Sequence, residues 1–208
     1  ANMAWSDAEK EDLDSFYLAI NAQAVFLMQS GFMLLEVGSV RASHAKAICV
    51  KNCCDFLVCT ICWLCIGYPL AFGKGEFMGD GYWFGHQDFA DPRGTESTEW
   101  ARWFFQWSFA SATCTIVSGA GAERCSFQGY LMSTGVLATL VYPTVVHSMW
   151  SDDAWALNGH APFYIKAHDF AGSGVVHLVG GTGAFVLAAM IGARDGRFGK
   201  SGEVNSLA

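Results

Sequence analysis

Five long apolar stretches alternate with polar connections along this chain. They run over residues 15–38, 50–72, 101–122, 127–150 and 170–192. Each reaches the roughly 20 residues that a helix needs to cross about 30 Å of hydrocarbon. The pattern therefore predicts an all-α, polytopic membrane protein with five transmembrane helices. The connections differ in kind. SVRASHAKAICVK joins the first two stretches, and the third and fourth share only the tight turn ERCSF. Two longer, aromatic-containing links, GKGEFMGDGYWFGHQDFADPRGTESTE and SDDAWALNGHAPFYIKAH, follow the second and fourth. No internal repeat or low-complexity run is visible.

Composition agrees with a bilayer environment. Hydrophobic residues make up 52 % of the 208, charged residues only 15 %, and the mean hydropathy is +0.28. Ordinary globular chains carry roughly 25 % charged residues. The formal net charge of −7 excludes nucleic acid as a partner, since phosphate backbones are bound by basic surfaces. The opening ANMAWSDAEKEDLDS is acidic, unlike the basic n-region of a secretory leader.

Charge also orients the chain. Arg41, Lys46, Lys51, Arg124, Arg194, Arg197 and Lys200 fall on one side of the predicted spans; Lys10, Lys74, Arg93, Arg102 and Lys166 fall on the other. That is seven against five of the 12 basic residues. The positive-inside rule then puts the N-terminus outside and the C-terminus inside.

Candidate chemistry concentrates in the fifth stretch, at DFAGSGVVH (169–177). Asp169 is placed to cap the helix, bonding its orphan N–H groups and favouring its positive end. His177 follows eight residues later, about 12 Å deeper if the segment is helical throughout. A histidine inside a bilayer lines a pathway or pairs with another polar group, so it is the leading pore candidate; a buried neutral ring bonded to a neighbouring helix is the alternative. Gly172, Gly174, Gly180, Gly181 and Gly183 predict close packing of this segment inside a bundle. Glu36 and Asp55 near span ends are expected to bond locally, to backbone or basic side chains, as structural groups. The run Cys59, Cys62, Cys65 has iron–sulfur spacing, but it lies within an apolar span and is read as small-residue packing. The aromatic groups FFQWSF (104–109) and HSMW (147–150) are either interface anchors or cation-binding faces.

These stretches together resemble the ammonium transporter and Rhesus family, the ammonium transporter branch in particular. GFMLLEVGSVR (31–41), KNCCDFLV (51–58), GYPLAFG (67–73), FFQWSFASATCTIVSGAGAERCSF (104–127), VYPTVVHSMW (141–150) and DFAGSGVVHLVGGTGAFVLAAMIGAR (169–194) carry the likeness. It implies a fold of eleven spans, usually a trimer with one pore per subunit, in which two five-helix halves form inverted repeats. This chain would be the first half, over 1–194, with 195–208 an inner-side tail or linker. The likeness implies site roles as well. Phe109 and Trp150 resemble the walls of an outer ammonium recruitment site, and Phe109 also the outer gate. Gln106 matches a glutamine near the pore. Asp169 resembles the acid that shapes the recruitment site without touching the ion, and His177 the first of two paired pore histidines.

The expected function is recruitment of ammonium at the aromatic site, deprotonation, and passage of ammonia past His177. The partners implied are ammonium or ammonia, the lipid bilayer, and a second half, trimer mates or other membrane subunits. The alternative is a half-length relative serving as a non-transporting structural subunit of a larger complex; an ammonium sensor is a weaker third reading. No cofactor, metal site or enzymatic constellation is expected: no nucleophile–base pair or phosphate-cradling loop stands at a recognisable spacing.

Overall fold

Helix caps and turns extend most of the apolar stretches into longer helices. The computed structural model describes residues 5–81, 83–85, 96–156 and 167–198. Five helices cross-pack in it: α1 (Asp7–Ser39), α2 (Ala42–Phe72), α3 (Glu96–Gly121), α4 (Phe127–Trp150) and α5 (Ser173–Ile191). The described residues contain no β-strand beyond an isolated bridge between Lys74 and Asp80. The predicted tail beyond residue 198 lies outside the described residues.

α1 starts eight residues before its apolar stretch. A capping box explains this: the Ser6 hydroxyl accepts from the Glu9 N–H, and the Glu9 carboxylate accepts from the Ser6 N–H. The two orphan donors are satisfied reciprocally, so the acidic first turns are helical although they are too polar for hydrocarbon. α2 and α4 each contain a π-helical turn, at Trp63–Gly67 and Leu137–Val141, followed by a proline, Pro69 and Pro143. Proline removes an N–H from the ladder, and the wider turn accommodates the loss without ending the helix.

Four of the helices are long and apolar enough to span a membrane; α3 does not join them on composition. At 26 residues α3 is long enough, but it carries Ser108, Ser111, Thr113, Thr115 and Ser118, all buried. The reason is position. α3 is central, packed against α1, α2, α4 and α5, so its surface meets protein rather than lipid.

Those hydroxyls organise a buried polar core, and here Glu36 and Asp55 depart from expectation. Both are buried, and the bonds they make reach other helices. Glu36 accepts from Asn52 Nδ2 and Ser118 Oγ, each at 2.9 Å. Asp55 accepts from Thr134 Oγ1 at 2.5 Å and lies 2.9 Å from Thr115 Oγ1. Gln29 joins the same group through Ser111 and Thr115. The buried Lys51 ammonium sits 5.1 Å from the Tyr130 ring centroid, where the ring face attracts the cation. A carboxylate taken out of water must be hydrogen-bonded, and in a helical bundle the donors come from neighbouring helices because each helix's own N–H groups are already used.

At the opposite end from Asp7 and Trp150, the tight turn between α3 and α4 is held by Glu123. Its φ of 64° is in the left-handed region that non-glycine residues seldom occupy. Four contacts hold it there: the Arg41 N–H at 2.8 Å, Arg41 Nε at 3.2 Å, His44 Nδ1 at 3.1 Å and Arg194 Nε at 3.3 Å. Burial pushes the Glu123 carboxyl up, but the Arg41 hydrogen bonds and the charges of Arg194 and Arg41 outweigh it and leave the pKa below the ordinary glutamate value. A depressed folded pKa means that the unfolded chain takes up the proton first. The stabilisation is therefore complete above the ordinary glutamate pKa and is lost as pH falls through the lowered one. Melting curves of wild type and Glu123→Gln should differ most near neutral pH and converge in acid. A constant difference down to about pH 3 would contradict this linkage.

Candidate functional site

The predicted mouth residues come together where α3, α4 and α5 converge. Phe109 lies on α3 and Trp150 ends α4. Their rings meet edge to face, centroids 5.7 Å apart at 71°. Phe105, one turn earlier on α3, packs on Phe109 at 4.9 Å and 86°. The indole N–H of Trp150 donates to Asp169 Oδ2 at 2.9 Å. The other carboxylate oxygen, Oδ1, accepts from the N–H groups of Gly174 at 2.6 Å and Val175 at 3.2 Å. One side chain thus orients the tryptophan with one oxygen and caps α5 with the other.

This capping differs in geometry from the expectation. Residues 169–172 do not continue the helix; Ala171 and Gly172 both take positive φ, 54° and 72°, and turn the chain sharply. α5 then begins at Ser173 with a π-helical turn, in which the His177 N–H reaches Gly172 O at 3.0 Å. The rise from Ser173 to His177 is about 6 Å, roughly half the depth inferred for an unbroken helix from Asp169. Gly174 leaves room for this contact: a Cβ there would stand 3.0 Å from Asp169 Oδ1, in the space the carboxylate uses to reach the backbone.

Gln106 lines a cleft of about 380 Å³ beside Tyr68, Phe72, Phe105, Trp150 and Asp152. Its Oε1 is enclosed and meets no donor among the described residues. His177 is not enclosed: its ring is exposed on α5. Among the described residues it is not buried against a neighbouring helix, contrary to the alternative expectation. The expectation of a buried fifth segment holds on one face only. A Cβ on Gly180 would stand 2.9 Å from Ile116 and 3.1 Å from Thr113 O, whereas one on Gly181 would meet nothing within 4 Å. Beside this open face, α4 and α5 enclose an apolar groove of about 900 Å³, lined among others by Leu137, Met149, Val179, Val186 and Met190.

Two features escaped the sequence reading. His147 is buried, with Nδ1 3.0 Å from Ala71 O and Nε2 2.8 Å from Gly75 O; it pins the end of α2 and the segment after it to α4. The hydroxyl stripe Ser111, Thr115, Ser118 recurs at helical spacing on α3, and that period in an otherwise apolar span was the available signal for the polar core.

Comparison with known proteins covers most of the chain. The model of the Ammonium Transporter Family matches residues 16–207. Ammonium transporter 1 member 3 of Solanum lycopersicum is 38 % identical over 199 residues, 94 % of this chain and 42 % of that protein. Ammonium transporter 1 member 3 of Oryza sativa subsp. japonica is 40 % identical over 202 residues, 94 % of this chain and 39 % of that protein. Among solved structures, a Sensor Amt Protein superposes with TM-score 0.81 at 27 % identity, over 96 % of this chain and 49 % of that one. Candida albicans Mep2 gives 0.75 at 25 % identity, over 90 % and 41 %. The chain thus spans less than half the length of each of these proteins.

Proposed function

Because the chain belongs to the ammonium transporter family, we propose that it forms the first half of a membrane pathway for ammonium or ammonia. The observation that carries this reading is the Phe109–Trp150–Asp169 assembly at the head of a helix whose open face bears His177. Two aromatic faces attract a cation that is shedding water, at roughly 0.5–2 kcal/mol each. Asp169 spends both oxygens on Trp150 and the α5 backbone, so it acts by positioning the indole and by its negative field. A charged ion entering a dry apolar passage is costly, while neutral ammonia is far cheaper. Deprotonation at the mouth, with water there accepting the proton, followed by passage of ammonia along α5 satisfies both constraints, with His177 as the polar group on the way. An imidazole can both donate and accept a hydrogen bond.

The apolar groove between α4 and α5 is then the seat of a second half, which supplies the opposite wall. Residues 1–194 act as one transmembrane unit, and 195–208 as a tail or linker on the inner side. The acidic N-terminus is outside with the mouth, and the basic end bearing Arg41, Arg124 and Arg194 is inside. Trimer mates complete the assembly.

The full-length protein in proteoliposomes is expected to show ammonium-dependent uptake. Trp150→Leu should weaken its concentration dependence, and His177→Ala should abolish it. Uptake that is absent in the wild type, or unchanged in both variants, would overturn the proposal.

A further inference from the structure

Both ring nitrogens of His147, in the last turn of α4, face carbonyl oxygens. The side chain is 0 % exposed, with Nδ1 3.0 Å from Ala71 O and Nε2 2.8 Å from Gly75 O. We infer that both nitrogens carry hydrogen, so that His147 is a buried imidazolium that caps the C-terminal end of α2 and positions Trp150, one turn further along α4.

Donor counting is the first argument. A carbonyl oxygen only accepts. A neutral imidazole has one N–H and one lone pair, so it would satisfy one of these carbonyls and set its lone pair against the other. At these separations no water fits between them, and the opposed acceptors would both stay unpaired in an enclosed site. Two N–H groups satisfy both contacts, and both distances are ordinary for N–H···O bonds.

The end of α2 is the second argument. The last carbonyls of a helix lack intrahelical donors. Here Pro69 O accepts from the Gly73 N–H at 2.8 Å and Leu70 O from the Gly79 N–H at 2.9 Å. Ala71 O would take the Gly75 N–H, but that group donates to Asp153 Oδ2 at 3.2 Å. The Lys74 N–H goes to Asp80 O. His147 supplies the missing donor, and the carbonyl end of a helix favours a cation there. The flanking segments 73–81 and 151–156 carry Lys74 against Glu76, Asp80, Asp152 and Asp153, and the link into α5 adds His168 and Asp169. Acids outnumber bases in these segments, and their field attracts a positive ring.

The same contacts fix the turn that bears Trp150. Gly75 sits in a tight turn, where a Cβ would run into Met78 O, so the direction of its carbonyl is set. Asp153 holds its N–H and His147 its C=O. Ser151 Oγ closes the end of α4 by donating to His147 O at 2.7 Å. That last turn is thus tied to α2 on one side, while Asp169 holds the indole on the other. His147 acts through Trp150 and is a positioning residue.

Solid-state nitrogen NMR of the full-length protein in lipid tests the charge. Both ring nitrogens of His147 should show a bonded hydrogen; one nitrogen without hydrogen would overturn the inference. The positioning role is read from His147→Gln, whose amide offers one donor nitrogen in place of two. The Trp150 indole N–H resonance should move from its wild-type position. The half-saturating ammonium concentration should rise roughly two- to thirty-fold, the worth of one aromatic face to a cation. Loss of folded protein alone would lower the maximal rate and leave both of these readings unchanged. An unmoved indole resonance, or an unchanged half-saturation in a protein that transports, would overturn the positioning role. The uptake measurement rests on the proposed function, whereas the two NMR measurements do not. A wild type without uptake would therefore overturn that function and leave His147 to be decided by its own resonances.

Discussion

Asp169→Ala is expected to eliminate ammonium-dependent uptake by the full-length protein and to lower its thermal stability. The carboxylate makes three bonds at once, to Trp150 Nε1 and to the N–H groups of Gly174 and Val175. Alanine leaves all three donors without their partner. Losing the partner of an enclosed polar group costs about 1–3 kcal/mol, and loss of a helix cap about 1 kcal/mol, so a destabilisation of about 2–4 kcal/mol is expected. The functional loss should exceed what stability explains, because Trp150 is released from its edge-to-face contact with Phe109. Displacing a positioned group by about 1 Å can cost on the order of 100-fold. Asp169→Asn separates the two effects. Its amide oxygen can still accept from Gly174 and Val175, but its NH₂ would then face the indole N–H, donor against donor. That variant should melt between the wild type and Asp169→Ala, because the α5 cap is kept and only the indole bond is lost, while uptake falls as far as in Asp169→Ala. Wild-type uptake in Asp169→Asn would show that the indole bond is dispensable.

Gly180→Val is expected to separate α5 from α3. The added Cβ alone would stand 2.9 Å from Ile116 Cβ and Cγ2 and 3.1 Å from the Thr113 carbonyl oxygen. The Ile116 Cβ and the Thr113 carbonyl are fixed by the α3 backbone and cannot rotate away. Overpacking of this kind costs about 1–3 kcal/mol, and relief requires α5 to move outward with His177, three residues earlier on the same helix. Gly181→Ala is the control, since no heavy atom lies within 4 Å of that Cβ. A Gly180→Val protein that melts with the wild type would mean the helices are not held at this distance. Strong destabilisation by Gly181→Ala in the full-length protein would instead show that the open face is closely covered there.

Much of the architecture was legible in the primary structure. The stretch 127–150 coincides with α4, and the stretch ending at residue 72 ends with α2. Hydropathy over some 20 residues reports the thickness of a bilayer rather than the limits of a helix. For that reason the polar start of α1, set by the Ser6–Glu9 box, fell outside its predicted span. That Phe109, Trp150 and Asp169 belong together was suggested by resemblance, but their contacts were not legible. The depth of His177 was misjudged for one local reason: the left-handed pair Ala171–Gly172 spends residues on a turn instead of on helical rise.

What the sequence determined alone was therefore whatever depends on neighbours along the chain. That includes five apolar segments, their alternation and the asymmetry of basic residues. Tertiary structure decided which polar groups answer each other. Asp55 meets Thr115 and Thr134, 60 and 79 positions away, and Glu36 meets Ser118, 82 positions away. It also decided that the hydroxyl-bearing α3 is central, and that α5 packs on one face while leaving His177 open on the other. The physical reason is that a buried polar group must find a partner, while a helix has already committed its own backbone donors and acceptors. The partner must come from another helix, and no local pattern records which helix that will be.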